Sequence, residues 1–165
     1  MDRRYYLELI LVRHADAEEH SSDGTDGGRR LSALGEEQAA RTARALKKLL
    51  SPEGLVIWYS PKERTRQTAL ALQAQLQAVE CIAIDALATG HLAHVQFAWQ
   101  ETAAERVCLV GHQPFLGDWV ADLSGVRLPI AKASVTLLHS EHPTSPYFRF
   151  LGHLQGPLLA QLAST

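Results

Sequence analysis

Apolar residues follow two patterns along the chain: short continuous runs, and longer stretches in which they recur every three or four positions. The continuous runs predict buried β-strands at 5–13, 55–59, 80–84, 106–110, 134–139 and 147–151. The helical spacing predicts α-helices at 32–50, at 60–77, around 92–99 and at 115–123. The last residues, after a turn at Gly156-Pro157, fit a short helix without requiring one.

Several residues mark where these elements begin and end. Ser32 is expected as the N-cap of the first helix, and Gly125 as the stop of the fourth. Ser60 is expected as the N-cap of the second helix, with Pro61 in its first position. The polar, glycine-rich segment 18–30 between the first strand and the first helix predicts a mobile loop.

The alternation of strands and helices predicts an α/β fold, a three-layer α/β/α sandwich with a mainly parallel central sheet. A length of 165 residues fits a single domain spanning 1–165. In such sheets, binding sites form outside the carboxyl ends of the strands. Attention therefore falls on the residues that follow Val12, Tyr59 and Val110.

Composition and charge narrow the possible partners. The formal net charge is -2 and the pI about 6.4, which gives no reason to expect nucleic acid or a membrane as partner. The segment Met1 to Glu8 is too polar to begin a secretion signal, so we expect a cytoplasmic protein. Cys81 and Cys108 lie in apolar runs and are expected to be buried free thiols.

Histidines and arginines follow three of the predicted strands. They are Arg13-His14, Ser60 with Arg64 behind it, and Gly111-His112. Arginine can donate two parallel hydrogen bonds to the oxygens of one phosphate group. Arg64 falls in the first turn of a predicted helix, where the helix dipole also favours an anion. A neutral histidine beside phosphorus can attack it and form a covalent phosphoenzyme. Spacing from Ser60 selects Arg64, rather than Lys62 or Arg66, for this pocket.

These segments resemble the motifs of a known family, the histidine phosphatase superfamily, whose fold is phosphoglycerate mutase-like. The four matching segments are Arg13-His14-Ala15; Leu31-Ser32-Ala33-Leu34-Gly35 with Gln38-Ala39; Ser60-Pro61 with Arg64, Gln67 and Thr68; and Gly111-His112. Within the superfamily the chain looks most like the small SixA-type phosphohistidine phosphatases, because of its length and its segments 13–17 and 112–117.

The resemblance implies that His14 is phosphorylated and that water then hydrolyses the phosphoenzyme. It implies a phosphate pocket of Arg13, Arg64 and His112, to which Ser60 and Gln113 are added as binding residues, and it implies no metal and no cofactor. The expected substrate is a protein carrying phosphohistidine, such as a phosphotransfer domain or a phosphocarrier. Two alternatives stay open: a phosphomonoesterase for small phosphate esters, and a module that binds phosphate without turning it over.

Two departures from the family pattern matter. Ala15 replaces the signature glycine, and we expect this smallest change to be tolerated. Many relatives place a glutamate as general acid after the third strand, whereas 85–90 offers only Asp85, and Asp16 is the other acid to consider. His91 and His94 have the spacing of a metal pair, but no further ligand is evident nearby.

Overall fold

Six strands and six helices are present in the part of the chain that the computed structural model describes, residues 6–51 and 53–165. The strands are β1 (Leu7–Arg13), β2 (Leu55–Tyr59), β3 (Glu80–Ala83), β4 (Arg106–Gly111), β5 (Val135–Ser140) and β6 (Arg149–Leu154). The helices are α1 (Ala33–Leu49), α2 (Glu63–Leu76), α3 (Ala86–Thr89), α4 (Leu92–Glu101), α5 (Phe115–Ser124) and α6 (Gly156–Ser164). The first predicted strand began at residue 5, which lies outside the described residues, as does most of the polar segment 1–8.

The strands form one sheet in the order β3-β2-β4-β1-β5-β6. β1, β2, β3 and β4 run parallel, whereas β5 is antiparallel to both of its neighbours. The predicted α/β fold with a mainly parallel sheet is confirmed. Because β4 lies between β1 and β2, the carboxyl ends of these three strands stand side by side.

Each face of the sheet carries its own apolar core, which gives the predicted three layers. Side chains alternate along a strand, so Leu9 and Leu11 of β1 pack on the side of α4 and α5. Ile10 and Val12 pack on the opposite side, against α1, α2 and α6. No helix in the described part of the chain combines the length and the apolar character that crossing a membrane requires.

The start of α1 matches its prediction, and the start of α2 does not. Ser32 is the N-cap of α1, and its Oγ accepts a hydrogen bond from Gly35 N at 3.1 Å. α2 begins at Glu63 with Lys62 as its N-cap, so the expectations that Ser60 caps this helix and that Pro61 is its first residue are both wrong. The chain makes an extra turn here, closed by a 2.7 Å hydrogen bond from Lys62 N to Ser60 O. This turn frees the Ser60 side chain for another contact.

Other differences from the predicted elements are small. The single turn α3 was not predicted, because four residues are too few to show a helical period. β6 begins two residues later than expected, and its pairing with β5 carries a register shift between Leu137 and Leu138. Cys108 is buried as predicted, whereas Cys81 is half-buried near the sheet edge formed by β3, and both thiols are free.

The segment 18–30, which we name the Asp26 loop, has neither helix nor strand, as its composition predicts. It is nevertheless closed by hydrogen bonds. Glu18 N donates to Arg30 O at 2.9 Å, and Ser21 Oγ donates to Thr25 O at 2.6 Å. The loop therefore returns to its starting point, and the single bridge between Ala17 and Leu31 joins its two ends.

Gly35, in the first turn of α1, lets this helix approach the segment that follows β1. A β-carbon at this position would overlap the backbone carbonyl oxygen of Asp16, two residues after His14. Backbone atoms cannot yield as the end of a flexible side chain can. The close approach of α1 to the end of β1 therefore requires glycine here.

We predict that Gly35→Ala destabilises the fold by about 1–3 kcal/mol, the usual cost of overpacking a close contact. Gly152→Ala in β6 is the matched control, since a β-carbon there meets no atom within 4 Å. Thermal unfolding measures both variants. Equal melting temperatures for the two would show that α1 does not depend on this contact.

Candidate active site

The three strand ends named from the sequence meet at one edge of the sheet. His14 N donates to Gly111 O at 3.0 Å, and Ser60 N donates to Val110 O at 3.1 Å, so both segments continue the pairing with β4. The rings of His14 and His112 lie side by side, with centroids 5.2 Å apart. Arg64, in the first turn of α2, is 6% exposed. The structure thus brings together side chains that are about 50 residues apart in sequence.

His14 is neutral and has a defined tautomer. Its Nδ1 lies 2.7 Å from the backbone oxygen of Ala15, and since a carbonyl can only accept, Nδ1 carries the proton. The other ring nitrogen, Nε2, therefore has a free lone pair. Burial, followed by the charges of Arg64 and Arg13, lowers the pKa of His14 to about 4. The ring is thus ready to act as a nucleophile at neutral pH.

Ser60 is buried and contacts His112 instead of capping α2. Its Oγ lies 2.8 Å from His112 Nε2, and Thr65 Oγ1 donates to the Ser60 carbonyl at 2.6 Å. Burial, followed by the neighbouring charges of His14 (in its protonated form) and Arg64, lowers the pKa of His112 to about 3. Both imidazoles are therefore uncharged in the free site, and the arginines supply its positive charge.

The two arginines are each anchored to the backbone of a loop. Arg13 Nη1 donates to Ile130 O at 2.7 Å, and Arg64 Nη1 donates to Asp26 O at 2.8 Å. The Nε atoms of both arginines and Nδ1 of His112 are buried, and none has a hydrogen-bond partner within the described residues. Buried polar atoms are normally satisfied, so the two Nε–H donors mark where an acceptor group would be bound, and His112 Nδ1 can add a third donor in the tautomer that has its proton there. A phosphoryl group offers several such oxygens.

Gln113 lies next to His112, but its side chain is already engaged. Its Oε1 accepts a 2.8 Å hydrogen bond from Gly117 N in the first turn of α5. This bond satisfies one of the free N–H groups at the start of the helix. The assignment of Gln113 to phosphate binding stays a prediction, with only its amide nitrogen left for that role.

Ala15 occupies the position of the signature glycine without backbone strain. Left-handed backbone occurs at two non-glycine residues of the described chain, Gln77 and Ala133, and Ala15 is not one of them. Its methyl group packs in a small apolar cluster with Leu31 and Ala39. Its amide donates to Thr68 Oγ1 at 3.2 Å. The structure accommodates the methyl group as we expected.

The carboxylates considered as acids are poorly suited to donate a proton. Asp16 accepts from Lys132 Nζ and from Ser32 Oγ, both at 2.5 Å, and these bonds lower its pKa. Asp85 is exposed at the start of α3, and the structure gives its carboxylate no hydrogen bond to a residue of the pocket. Asp16 is thus held as a carboxylate, and a general acid is not evident among the described residues.

The loop before β5 supports the end of β1 in a way that the sequence did not reveal. Ala133 N donates to the carbonyl oxygens of both Arg13 and His14, at 3.1 and 3.2 Å. Ala133 has a φ of 57°, an unfavourable backbone for alanine that only tertiary contacts maintain. Its own carbonyl accepts from Thr42 Oγ1 of α1 at 2.9 Å. No motif marks this loop, because its contribution is mostly backbone geometry.

The rings of His91 and His94 lie close together, with centroids 5.3 Å apart. No group of three or more His, Cys, Asp or Glu residues that could hold a metal ion occurs within residues 6–51 and 53–165. The structure therefore adds no further ligand to this pair.

Comparison with known proteins agrees with the geometry. The profile of the histidine phosphatase superfamily (branch 1) matches residues 9–107, which leaves His112 just beyond the matched segment. An uncharacterised protein from Picosynechococcus sp. (strain ATCC 27264 / PCC 7002 / PR-6) is 32% identical over 144 residues, 81% of this chain and 86% of that protein.

Solved structures share the fold at low sequence identity. A structure of the protein histidine phosphatase SixA complexed with tungstate has a TM-score of 0.74 and 19% identity, covering 90% of this chain and 97% of that one. Phosphoglycerate mutase from Bacillus anthracis str. Sterne has a TM-score of 0.73 and 13% identity, covering 98% of both chains. These likenesses confirm the phosphoglycerate mutase-like fold.

We predict that His14 in the free protein protonates only near pH 4, well below the ~6.5 of an unburied imidazole. Burial penalises the charged form, so the ring stays neutral as the pH falls through 6.5 and gains its proton only in acid. NMR titration of the ring nitrogens measures this midpoint, with His14→Gln used to assign the signals. Arg64→Ala should raise the midpoint, because it removes a neighbouring positive charge. A native midpoint near 6.5 would contradict the assigned environment.

Proposed function

The chain belongs to the histidine phosphatase superfamily, branch 1, and is a phosphatase; we propose that it removes phosphate from phosphohistidine carried by a protein, with His14 as nucleophile. One observation carries the assignment of the pocket. Three buried nitrogens that have no partner among the described residues, Nε of Arg13, Nε of Arg64 and Nδ1 of His112, belong to the residues expected to bind phosphate. His14, whose Nε2 lone pair is free, lies beside the His112 ring and close enough to Arg64 and Arg13 for their charges to lower its pKa.

In the proposed first step, the Nε2 lone pair of His14 forms a bond to phosphorus, and the bond from phosphorus to the substrate nitrogen breaks. The electron pair of that bond leaves with the substrate imidazole, which takes a proton from solvent. Arg13 and Arg64 stabilise the charge on the equatorial oxygens. The hydrogen bond from His14 Nδ1 to Ala15 O strengthens as the ring becomes positive, which favours the transfer.

His112 acts as a neutral donor in this scheme. The scheme assigns the 2.8 Å contact between Ser60 and His112 as a bond from Oγ–H to Nε2, which places the ring proton on Nδ1, a buried atom without a partner among the described residues. Nδ1–H then donates to a phosphoryl oxygen. In the second step a water oxygen bonds to phosphorus, the bond to His14 Nε2 breaks, and phosphate leaves while the water protons pass to phosphate and solvent.

The choice of phosphohistidine follows from the leaving group. An alcohol leaves poorly unless an acid protonates it in the transition state. The carboxylate nearest in sequence to the nucleophile, Asp16, has a lowered pKa and stays ionised at neutral pH. An imidazole needs less help, because a pKa of ~6.5 lets solvent protonate it near neutral pH. The likeness to a protein histidine phosphatase supports a protein as carrier of this group.

We predict that a protein carrying phosphohistidine is hydrolysed much faster than phosphoserine or a sugar phosphate. Without a general acid, the loss for an alcohol leaving group is about 10²–10⁴-fold. The measurement is kcat/KM for a phosphohistidine protein, a phosphoserine peptide and a series of aryl phosphates. EDTA in every assay also tests the expectation that no metal takes part.

The aryl phosphates distinguish the alternatives. A steep fall of the hydrolysis rate with increasing leaving-group pKa would support the absence of a general acid. Fast phosphoserine or sugar phosphate hydrolysis with a flat dependence would instead indicate a phosphomonoesterase, and Asp85 and Asp16 would then be replaced first. Binding of phosphate without turnover of any substrate would indicate a binding module.

A further inference from the structure

Arg64 is held by a single residue of the Asp26 loop, and this residue belongs to none of the sequence motifs. The carbonyl oxygen of Asp26 accepts from Arg64 Nη1 at 2.8 Å, and its carboxylate Oδ2 accepts from Nη2 at 3.1 Å. The Arg64 side chain is 7% exposed, whereas that of Asp26 is 55% exposed. Asp26 thus contacts the arginine from the solvent side of the site.

The two bonds leave a specific part of the guanidinium free. Arginine carries five N–H donors in one plane, and Asp26 takes one from each of the two terminal nitrogens. The Nε donor of Arg64 is buried and unpartnered within the described residues. Since all five donors are coplanar, fixing the two terminal nitrogens also fixes the direction of Nε–H.

The position of Asp26 is itself set by contacts on both sides. Its Oδ2 accepts from Lys62 Nζ at 2.7 Å, and its Oδ1 accepts from Arg29 Nη1 at 3.2 Å. Next to it, Gly27 O accepts from Glu63 N, the first residue of α2, at 2.9 Å. The loop is therefore docked on the same helix turn that carries Arg64. These cations, Lys62 first, lower the pKa of Asp26 and keep it ionised.

We propose that Asp26 is a positioning residue for phosphoryl transfer, which holds the terminal nitrogens of Arg64 so that its Nε edge faces the phosphoryl group. The inference rests on the proposed role of Arg64 as a phosphate ligand. It assigns a function to the glycine-rich loop, in which Gly24 takes a left-handed backbone with a φ of 72° and the chain then brings Asp26 back onto α2. Asp26 does not touch the reacting atoms and acts through Arg64.

A carboxylate beside a phosphate pocket could instead oppose phosphate binding through its charge. Asp26 is more than half exposed, so solvent screens its charge at a distance, and the nearby Lys62 and Arg29 offset it. The direct bonds to a nearly buried arginine are affected less by screening. Loss of alignment should therefore outweigh any gain in attraction when the carboxylate is removed. If alignment dominates, removing the carboxylate weakens binding of a phosphate-like anion. If charge repulsion dominates, removing it strengthens that binding.

The test compares Asp26→Ala and Asp26→Asn with Glu19→Gln, which removes a charge from the same loop at an exposed residue. We measure kcat/KM for an aryl phosphate and the inhibition constant of tungstate. Asp26→Ala should lower kcat/KM and weaken the binding of tungstate, each by about 10–100-fold, the range for a misplaced positioning group. Asp26→Asn, which keeps an acceptor oxygen, should lie between Asp26→Ala and the parent protein. Glu19→Gln should match the parent protein.

A double-mutant cycle of Asp26→Ala and Arg64→Ala separates the alignment of Arg64 from a general effect on folding. Asp26→Ala should cause no further loss in the Arg64→Ala background, because there is no guanidinium left to align. Arg66→Ala, which breaks an exposed ion pair with Glu63, is the control for α2. If Asp26→Ala does not fold, the kcat/KM of Asp26→Asn is compared with that of Glu19→Gln, and this comparison tests the role of Asp26. Equal kcat/KM for those two, tighter tungstate binding in either Asp26 variant, or an additive cycle would overturn the inference.

These outcomes are distinct from a failure of the proposed function. An Arg64→Ala variant with undiminished activity would contradict the phosphate pocket itself. An inactive Arg64→Ala variant together with a fully active Asp26→Ala variant would contradict only the role of Asp26. The aryl phosphate and tungstate report on the pocket whichever natural substrate the protein uses.

Discussion

The position of β4 between β1 and β2 is the constraint on which the site depends. Parallel pairing on both edges of β4 brings the ends of all three strands to one level, with Arg13 opposite Gly111 and Tyr59 opposite Val110. The residues that follow, His14, Ser60 and His112, then come together although their segments are far apart in the sequence. Two apolar cores hold this arrangement from both faces of the sheet. The site is thus a consequence of strand order.

Burial determines the protonation of the two histidines and leaves arginine donors available in the site. The same loss of solvent that lowers the pKa of His14 and His112 also leaves the Nε donors of the two arginines without a partner in the part of the chain that the structure describes. A site that binds a dianion gains from both effects, because its nucleophile is neutral and its donors are already oriented. Support comes from the backbone: Ala15 fixes the tautomer of His14, and Ala133 holds the end of β1.

Much of this could be predicted from the sequence, and the reasons for success and failure are physical. The strands and α1 follow from apolar runs and from the Ser32 cap, which are local signals. The grouping of His14, Arg64 and His112 followed from the rule for parallel sheets. The predicted start of α2 was wrong because Ser60, judged from sequence alone, fits both a helix N-cap and a residue of the site. Only its tertiary contact with His112 decides between the two roles. Asp26 was missed because its contacts with α2 are long-range and its glycine neighbours indicate only a flexible loop.

The central claim is that His14 carries the phosphoryl group during turnover. The most direct test is a denaturing quench during hydrolysis of a radiolabelled substrate, followed by mapping of the label by mass spectrometry, with His14→Ala as control. The account predicts a label on Nε2 of His14 that is labile in acid and stable in base, and a His14→Ala variant with neither label nor activity. A label on another residue, or undiminished activity in His14→Ala, would contradict it.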